Sequence, residues 1–127
     1  MKKLMGILLS LLILAGCSAA PAASTYRQID QKEAMSMMET EEGYIILDVR
    51  TAQEFADGHI PNAVNLPVEY IGTSEPAELP QKDQLILVYC RSGNRSKKAS
   101  EKLAAMGYTN IVEFGGINTW PGKIVTD

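Results

Sequence analysis

The sequence predicts an α/β fold, a small parallel β-sheet flanked by helices on both faces. Three observations point there. The run Leu85-Ile86-Leu87-Val88-Tyr89 is apolar throughout, the pattern of a central strand covered on both sides rather than of one with a wet face. Short apolar runs alternate along the chain with segments of helical spacing, and such alternation indicates parallel strands joined by crossover helices. Two segments, Asp30-Gln31-Lys32-Glu33 and Thr51-Ala52-Gln53-Glu54, have the spacing of a capping box and mark helix starts.

The elements follow in order. A helix is expected from Gln31 to Met38, because Ala34, Met37 and Met38 share one face, with Gly43 in its exit loop. Tyr44 to Leu47 reads as a short strand ending at Asp48, and the helix starting at Thr51 should stop near Gly58. Ala63 to Leu66 is a further brief strand. Gly72 to Asp83 carries Pro76, Pro80 and several acids and reads as a surface loop. Beyond the central strand, Ala99, Leu103 and Met106 lie at helical spacing in a helix ending at Gly107, and Ile111 to Phe114 forms the next strand.

The first residues read as a leader. Lys2-Lys3 precede a largely apolar run from Leu4 to Leu14, too short for a membrane span, which needs about 20 residues. Leu14-Ala15-Gly16-Cys17 resembles a bacterial lipobox, in which the cysteine is lipidated and becomes the new first residue. The expected organisation is a lipoprotein signal peptide over 1–16, a lipidated N-terminus and small-residue tether over 17–25, and one folded domain over 26–127. An ordinary signal cut at Ala20 or Ala23 is the alternative, and it would discard Cys17. The expected location is the bacterial cell envelope, with the chain lipid-anchored to a membrane outside the cytoplasm.

Charge and cysteine content limit the functions open to the chain. Its formal net charge is −3, and cleavage before Cys17 makes it −5 by removing Lys2 and Lys3. An acidic total argues against nucleic acid, which usually requires a basic face. Against that background Arg91, Arg95, Lys97 and Lys98 fall within eight residues that contain no acid, which suits a small anion. With Cys17 lipidated, Cys90 is the one remaining thiol, so a disulfide or dithiol couple within the chain is excluded. No Cys/His cluster suggests a metal, no cofactor is implied, and a monomer is expected.

Cys90 closes the central strand and opens Cys90-Arg91-Ser92-Gly93-Asn94-Arg95-Ser96. A thiol in this position is suited to act as a nucleophile on an anion, because loop N–H groups and the first turn of the following helix favour negative charge at one point. Raising the thiolate-to-thiol ratio about a hundredfold takes roughly 2.7 kcal/mol, whereas a helix N-terminus supplies about 0.3 to 1 kcal/mol. Directed N–H donors and a guanidinium must supply the rest. An inert cysteine ending a core strand is the competing reading, but it gives no reason for two neighbouring arginines.

This loop, with Leu47-Asp48-Val49-Arg50, Glu54-Phe55, Gly58-His59-Ile60-Pro61-Asn62-Ala63, and Gly115-Gly116 followed by Trp120, resembles a single-domain rhodanese. The resemblance runs from about Tyr26 to Ile124. It implies a rhodanese-like fold and a sulfurtransferase in which Cys90 takes a sulfane sulfur from a donor such as thiosulfate, holds it as a persulfide, and gives it to a thiol or cyanide. Arg91, Ser92, Gly93, Asn94, Arg95 and Ser96 would form the substrate and anion-binding loop. Related dual-specificity phosphatases have one loop residue more, so the frame from Cys90 to Arg95 favours sulfur over a phosphoryl group or arsenate. A domain that only binds or senses sulfur species, or docks a partner, is the other alternative.

Arg95 is expected to contact the ligand, and Arg91 either to contact it or to steer anions from outside. Asp48 and Arg50 are expected to support the neighbouring loops, with Glu54 capping its helix or pairing with Arg50. His59 is expected to order a turn rather than to act as a base, and Phe114 and Trp120 to lie in the core.

Overall fold

A computed structural model of the protein describes residues 25–72 and 74–127. The expected leader, Cys17 and all of the expected tether except Thr25 lie outside them. The elements are β1 (Arg27–Gln28), α1 (Gln31–Thr40), β2 (Ile45–Asp48), α2 (Ala52–Asp57), β3 (Val64–Asn65), β4 (Ile86–Cys90), α3 (Asn94–Ala105) and β5 (Ile111–Gly116), with short 3₁₀ turns at Val68–Tyr70 and Ile117–Thr119. The strands form one sheet in the order β1-β5-β4-β2-β3, and every pairing is parallel. The α/β class read from the sequence is the observed one.

Helix starts follow local chemistry. The Asp30 carboxylate accepts the Glu33 N–H at 2.8 Å at the head of α1. At the head of α2 both halves of the capping box form, Glu54 N–H to Thr51 Oγ1 at 3.2 Å and Thr51 N–H to Glu54 Oε1 at 3.1 Å. These bonds satisfy N–H groups that a helix leaves without intrahelical acceptors. Helix α1 runs two residues past the predicted Met38, and β5 continues through the two glycines after Phe114.

The all-apolar strand β4 occupies the middle of the sheet and is buried along its whole length. Its side chains alternate between two cores. On one face Ile86, Val88 and Cys90 pack with Leu47, Val49 and the α3 residues Ala99, Leu103 and Ala104. On the other, Leu87 and Tyr89 pack with Ile46, Phe114 and Ala34, and Met37, Met38 and Trp120 close the margin. Each fully buried aliphatic side chain of this kind contributes about 1.5–3 kcal/mol relative to exposure.

Two features depart from the sequence reading. Strand β1 was not predicted; it consists of two exposed polar residues with no strand pattern of their own, held in register against Val112 and Glu113 of β5. The stretch from Gly72 to Asp83 is not wholly a surface loop, because Leu79 is buried and its carbonyl accepts the Tyr108 hydroxyl at 2.7 Å.

Candidate active site

Strands β2 and β4 run side by side with Asp48 opposite Tyr89, so Asp48 and Cys90 both emerge at the carboxyl edge, where open parallel sheets place their ligands. After Cys90 the chain reverses through Arg91-Ser92-Gly93 and enters α3. Gly93 adopts φ 109°, a left-handed conformation that a side chain would strain. That turn brings the Gly93 N–H to 3.0 Å from Cys90 Sγ. Gly93 occupies the N-cap of α3 and no side chain caps the helix there. The first-turn amides, which a helix leaves without intrahelical acceptors, are therefore free of side-chain competition beside the sulfur.

The loop rests on β5. A Cβ on Gly116 would lie 2.1 Å from the Arg91 carbonyl oxygen, so only glycine permits this approach. The same carbonyl accepts the Asn118 N–H at 3.2 Å. Arg91, Ser92 and Asn94 are exposed at the loop tip, whereas Cys90 and Ser96 are buried beneath it. Ser96 Oγ lies 3.4 Å from Cys90 Sγ and 2.5 Å from Glu113 Oε2. A cleft of about 570 Å³ opens beside the loop, with Gln31, Ser92, Lys97, Glu113 and Asn118 in its lining.

Asp48 anchors the neighbouring corner. It is fully buried and accepts the Arg50 N–H at 3.0 Å, the Arg50 guanidinium at 2.6 and 2.9 Å, and the Tyr89 hydroxyl at 2.6 Å. The same guanidinium donates to the Gly58 carbonyl at 2.6 Å, which ties the end of α2 to the sheet. Burial opposes the charge on Arg50, but Asp48 outweighs it and raises the guanidinium's pKa. Burial first, then the Asp48 carboxylate, pushes the Tyr89 hydroxyl well above its ordinary range.

Of the two roles expected for Glu54, the structure shows the capping one and adds a partner that the sequence did not suggest. Glu54 caps its helix, but its charged partner is Arg95, at 2.7 and 2.9 Å through two guanidinium nitrogens, not Arg50, which turns back onto Asp48. Arg95 therefore does not hang free over the loop. Two of the five N–H donors of a guanidinium are taken by Glu54, and the others are what it can offer a ligand. The carboxyl of Glu54 is held at about 2, below its usual 4.5, by the Arg95 hydrogen bonds first, against an opposing effect of burial.

A folded value below the unfolded one stabilises the protein above about pH 4.5, and that contribution fades as pH falls towards 2. Urea unfolding of Glu54→Gln should therefore lose less stability than wild type over that interval; parallel stability curves would show that the pair has no energetic weight.

His59 is buried, with its ring stacked on Phe55 at 3.8 Å. Its Nδ1 lies 2.8 Å from the Phe55 carbonyl, an acceptor only, so that nitrogen carries the hydrogen. Its backbone bridges to Val125, so the residue orders the end of α2 and the C-terminal segment. Among the described residues no group of three or more His, Cys, Asp or Glu side chains gathers as metal ligands. The sequence reading did not single out Glu113, although one acid within Ile111-Val112-Glu113-Phe114 is the visible sign of a buried polar contact.

A parallel sheet with its nucleophile candidate and anion-favouring loop at the carboxyl end of the central strand defines the class of protein. The model of the rhodanese-like domain matches residues 30–123, so the chain belongs to the rhodanese-like domain family. A sulfurtransferase of Allochromatium vinosum is 36% identical over 94 residues, covering 73% of this chain and 86% of that protein. The adenylyltransferase and sulfurtransferase UBA4 of Candida albicans is 35% identical over 106 residues, but the match spans 76% of this chain and only 24% of that protein. The crystal structure of a rhodanese-related protein from Thermoplasma volcanium superposes with a TM-score of 0.67 at 30% identity, covering 80% of this chain and 100% of that one.

Proposed function

We propose that this protein is a sulfurtransferase that carries sulfane sulfur on Cys90. The observation that supports it most directly is the sulfur of Cys90 facing the Gly93 N–H at 3.0 Å at the uncapped head of α3. Sulfurtransferases among its relatives point the same way. The Cys90 thiolate attacks the outer sulfur of a donor such as thiosulfate; a Cys90–sulfur bond forms, the donor's sulfur–sulfur bond breaks, and sulfite leaves with the electron pair. The terminal sulfur of the persulfide carries negative charge, which the loop N–H groups and Arg95 favour. A thiol or cyanide then attacks that sulfur, and Cys90 departs as thiolate. With lipid on Cys17, Cys90 is the one thiol of the chain, so the acceptor comes from outside.

Intact mass spectrometry after thiosulfate treatment tests this reading. One added sulfur, about 32 Da, removed by cyanide, is expected on the nucleophile. An unchanged mass after thiosulfate, or a gain of phosphate from a phosphoester, would count against it.

The location proposed for this activity is the bacterial cell envelope, anchored to a membrane outside the cytoplasm by lipid on Cys17. The lipobox-like Leu14-Ala15-Gly16-Cys17 supports it, as does the rule that two acyl chains suffice for stable anchoring where one is marginal. Cys17→Ala should move the chain out of the membrane fraction without altering sulfur uptake at Cys90. Wild-type protein found wholly in soluble fractions would exclude the anchor.

A further inference from the structure

Glu113 is the buried acid that the mechanism above leaves unused. It lies in β5, is 3% exposed, and faces α3. Its Oε2 accepts the Ser96 hydroxyl at 2.5 Å and the Gly115 N–H at 3.0 Å. Among the described residues no cation lies within ion-pair distance of it. A carboxylate buried with so little compensation is expensive to keep charged, unless its charge can be moved.

The geometry supplies the route. Ser96 has one hydroxyl hydrogen, and the acceptors around it are Glu113 Oε2 at 2.5 Å, the Gly93 carbonyl at 3.0 Å and the Gly115 carbonyl at 3.5 Å. The nearest and the charged acceptor is Glu113. With its hydrogen turned that way, Ser96 presents a lone pair to the Cys90 thiol 3.4 Å away. A continuous line therefore runs from S–H to O–H to carboxylate.

We propose that Glu113 is a positioning residue that stores the proton of Cys90, acting through Ser96. The S–H bond breaks as an O–H bond forms on Ser96, while the original Ser96 O–H bond breaks and one forms on Glu113. No electron is exchanged, and thiol plus carboxylate become thiolate plus carboxylic acid at constant total charge. The charge leaves a carboxylate held by two donors and arrives at a sulfur facing the Gly93 N–H, the reoriented Ser96 hydroxyl and the head of α3. Glu113, now neutral, donates back to Ser96. The thiolate is thus available without releasing a proton to solvent.

The groups facing this line are few. Tyr26 precedes β1, and its hydroxyl pKa is raised by burial first, then by the charges of Glu101 and Glu113. Asp30 at the head of α1 and Lys97 on α3 share the lining of the cleft with Glu113. On the sulfur side stands Arg95 of α3, whose guanidinium pKa is raised first by its hydrogen bonds to Glu54, against burial.

The purpose of the store rests on the sulfur-transfer reading, but the ionic link can be measured without it. Iodoacetamide alkylation of the full chain carrying Cys17→Ala, in which Cys90 is the one thiol, reads the thiolate directly. That chain should show two ionisation steps separated by a plateau, because two coupled groups titrate as a pair. Glu113→Gln keeps the shape and an acceptor for Ser96 but cannot store the proton, so one of the two steps should be lost. Superimposable profiles would overturn the proposal.

Should that variant fail to fold, infrared difference spectroscopy of wild type serves instead. At a pH on the plateau a protonated-carboxyl band should be present beside the thiolate, and it should be lost above the second step; absence of that band on the plateau would equally overturn it. Failure to take sulfur from thiosulfate, with both signatures present, would sink the sulfur reading and leave the proton store standing.

Discussion

Cys90→Ser is expected to reduce sulfur transfer by about a thousandfold or more while leaving the fold in place. The serine hydroxyl is close in size to the thiol and can keep both local contacts, accepting the Gly93 N–H and donating to Ser96 Oγ where Cys90 now does. It is, however, far harder to ionise and cannot hold a labile sulfur. Thiosulfate:cyanide turnover and the mass of the treated protein should fail together, with the melting transition little changed. Turnover equal to wild type in this variant would show that the sulfur never resides on Cys90.

Asp48→Asn should have the largest effect on stability. The carboxylate is fully buried and receives donors from Arg50 and Tyr89, while Arg50 itself is 5% exposed. An amide keeps the volume but leaves a buried guanidinium without its counter-charge, and it brings an NH2 group to where acceptors are needed. Breaking a buried pair from one side typically costs about 3–5 kcal/mol, a large part of the 5–15 kcal/mol by which domains of this size are stable. Urea unfolding should show the midpoint falling sharply with little change in slope. The damage should extend to the site, since Arg50 also holds the Gly58 carbonyl at the end of α2, and α2 carries the Glu54 that positions Arg95. A variant within about 0.5 kcal/mol of wild type, the usual effect of a neutral surface change, would refute this account of the corner.

The sequence by itself determined the parts of this protein that depend on neighbours a few residues apart. The capping residues at Asp30 and Thr51 start their helices because their partners lie three positions away. The unbroken apolar run to Tyr89 requires cover on both faces, which makes it central, and Cys90 at its end with Gly93 three residues on defines a turn into α3 at the sheet's carboxyl edge.

Only the tertiary structure decided which distant groups meet. Glu54 pairs with Arg95 across 41 residues, Tyr89 with Asp48 across 41, and Ser96 with Glu113 across 17. Each of these side chains has several chemically suitable partners along the chain, and local spacing does not rank them. Strand β1 is the same case for the backbone: Arg27 and Gln28 have no strand pattern, and the edge of β5 alone gives them a ladder. Helix caps and apolar periodicity act over one turn or one strand, and so they can be read in the sequence. Ion pairs, buried acids and edge strands are selected by distances that exist only once the sheet has assembled.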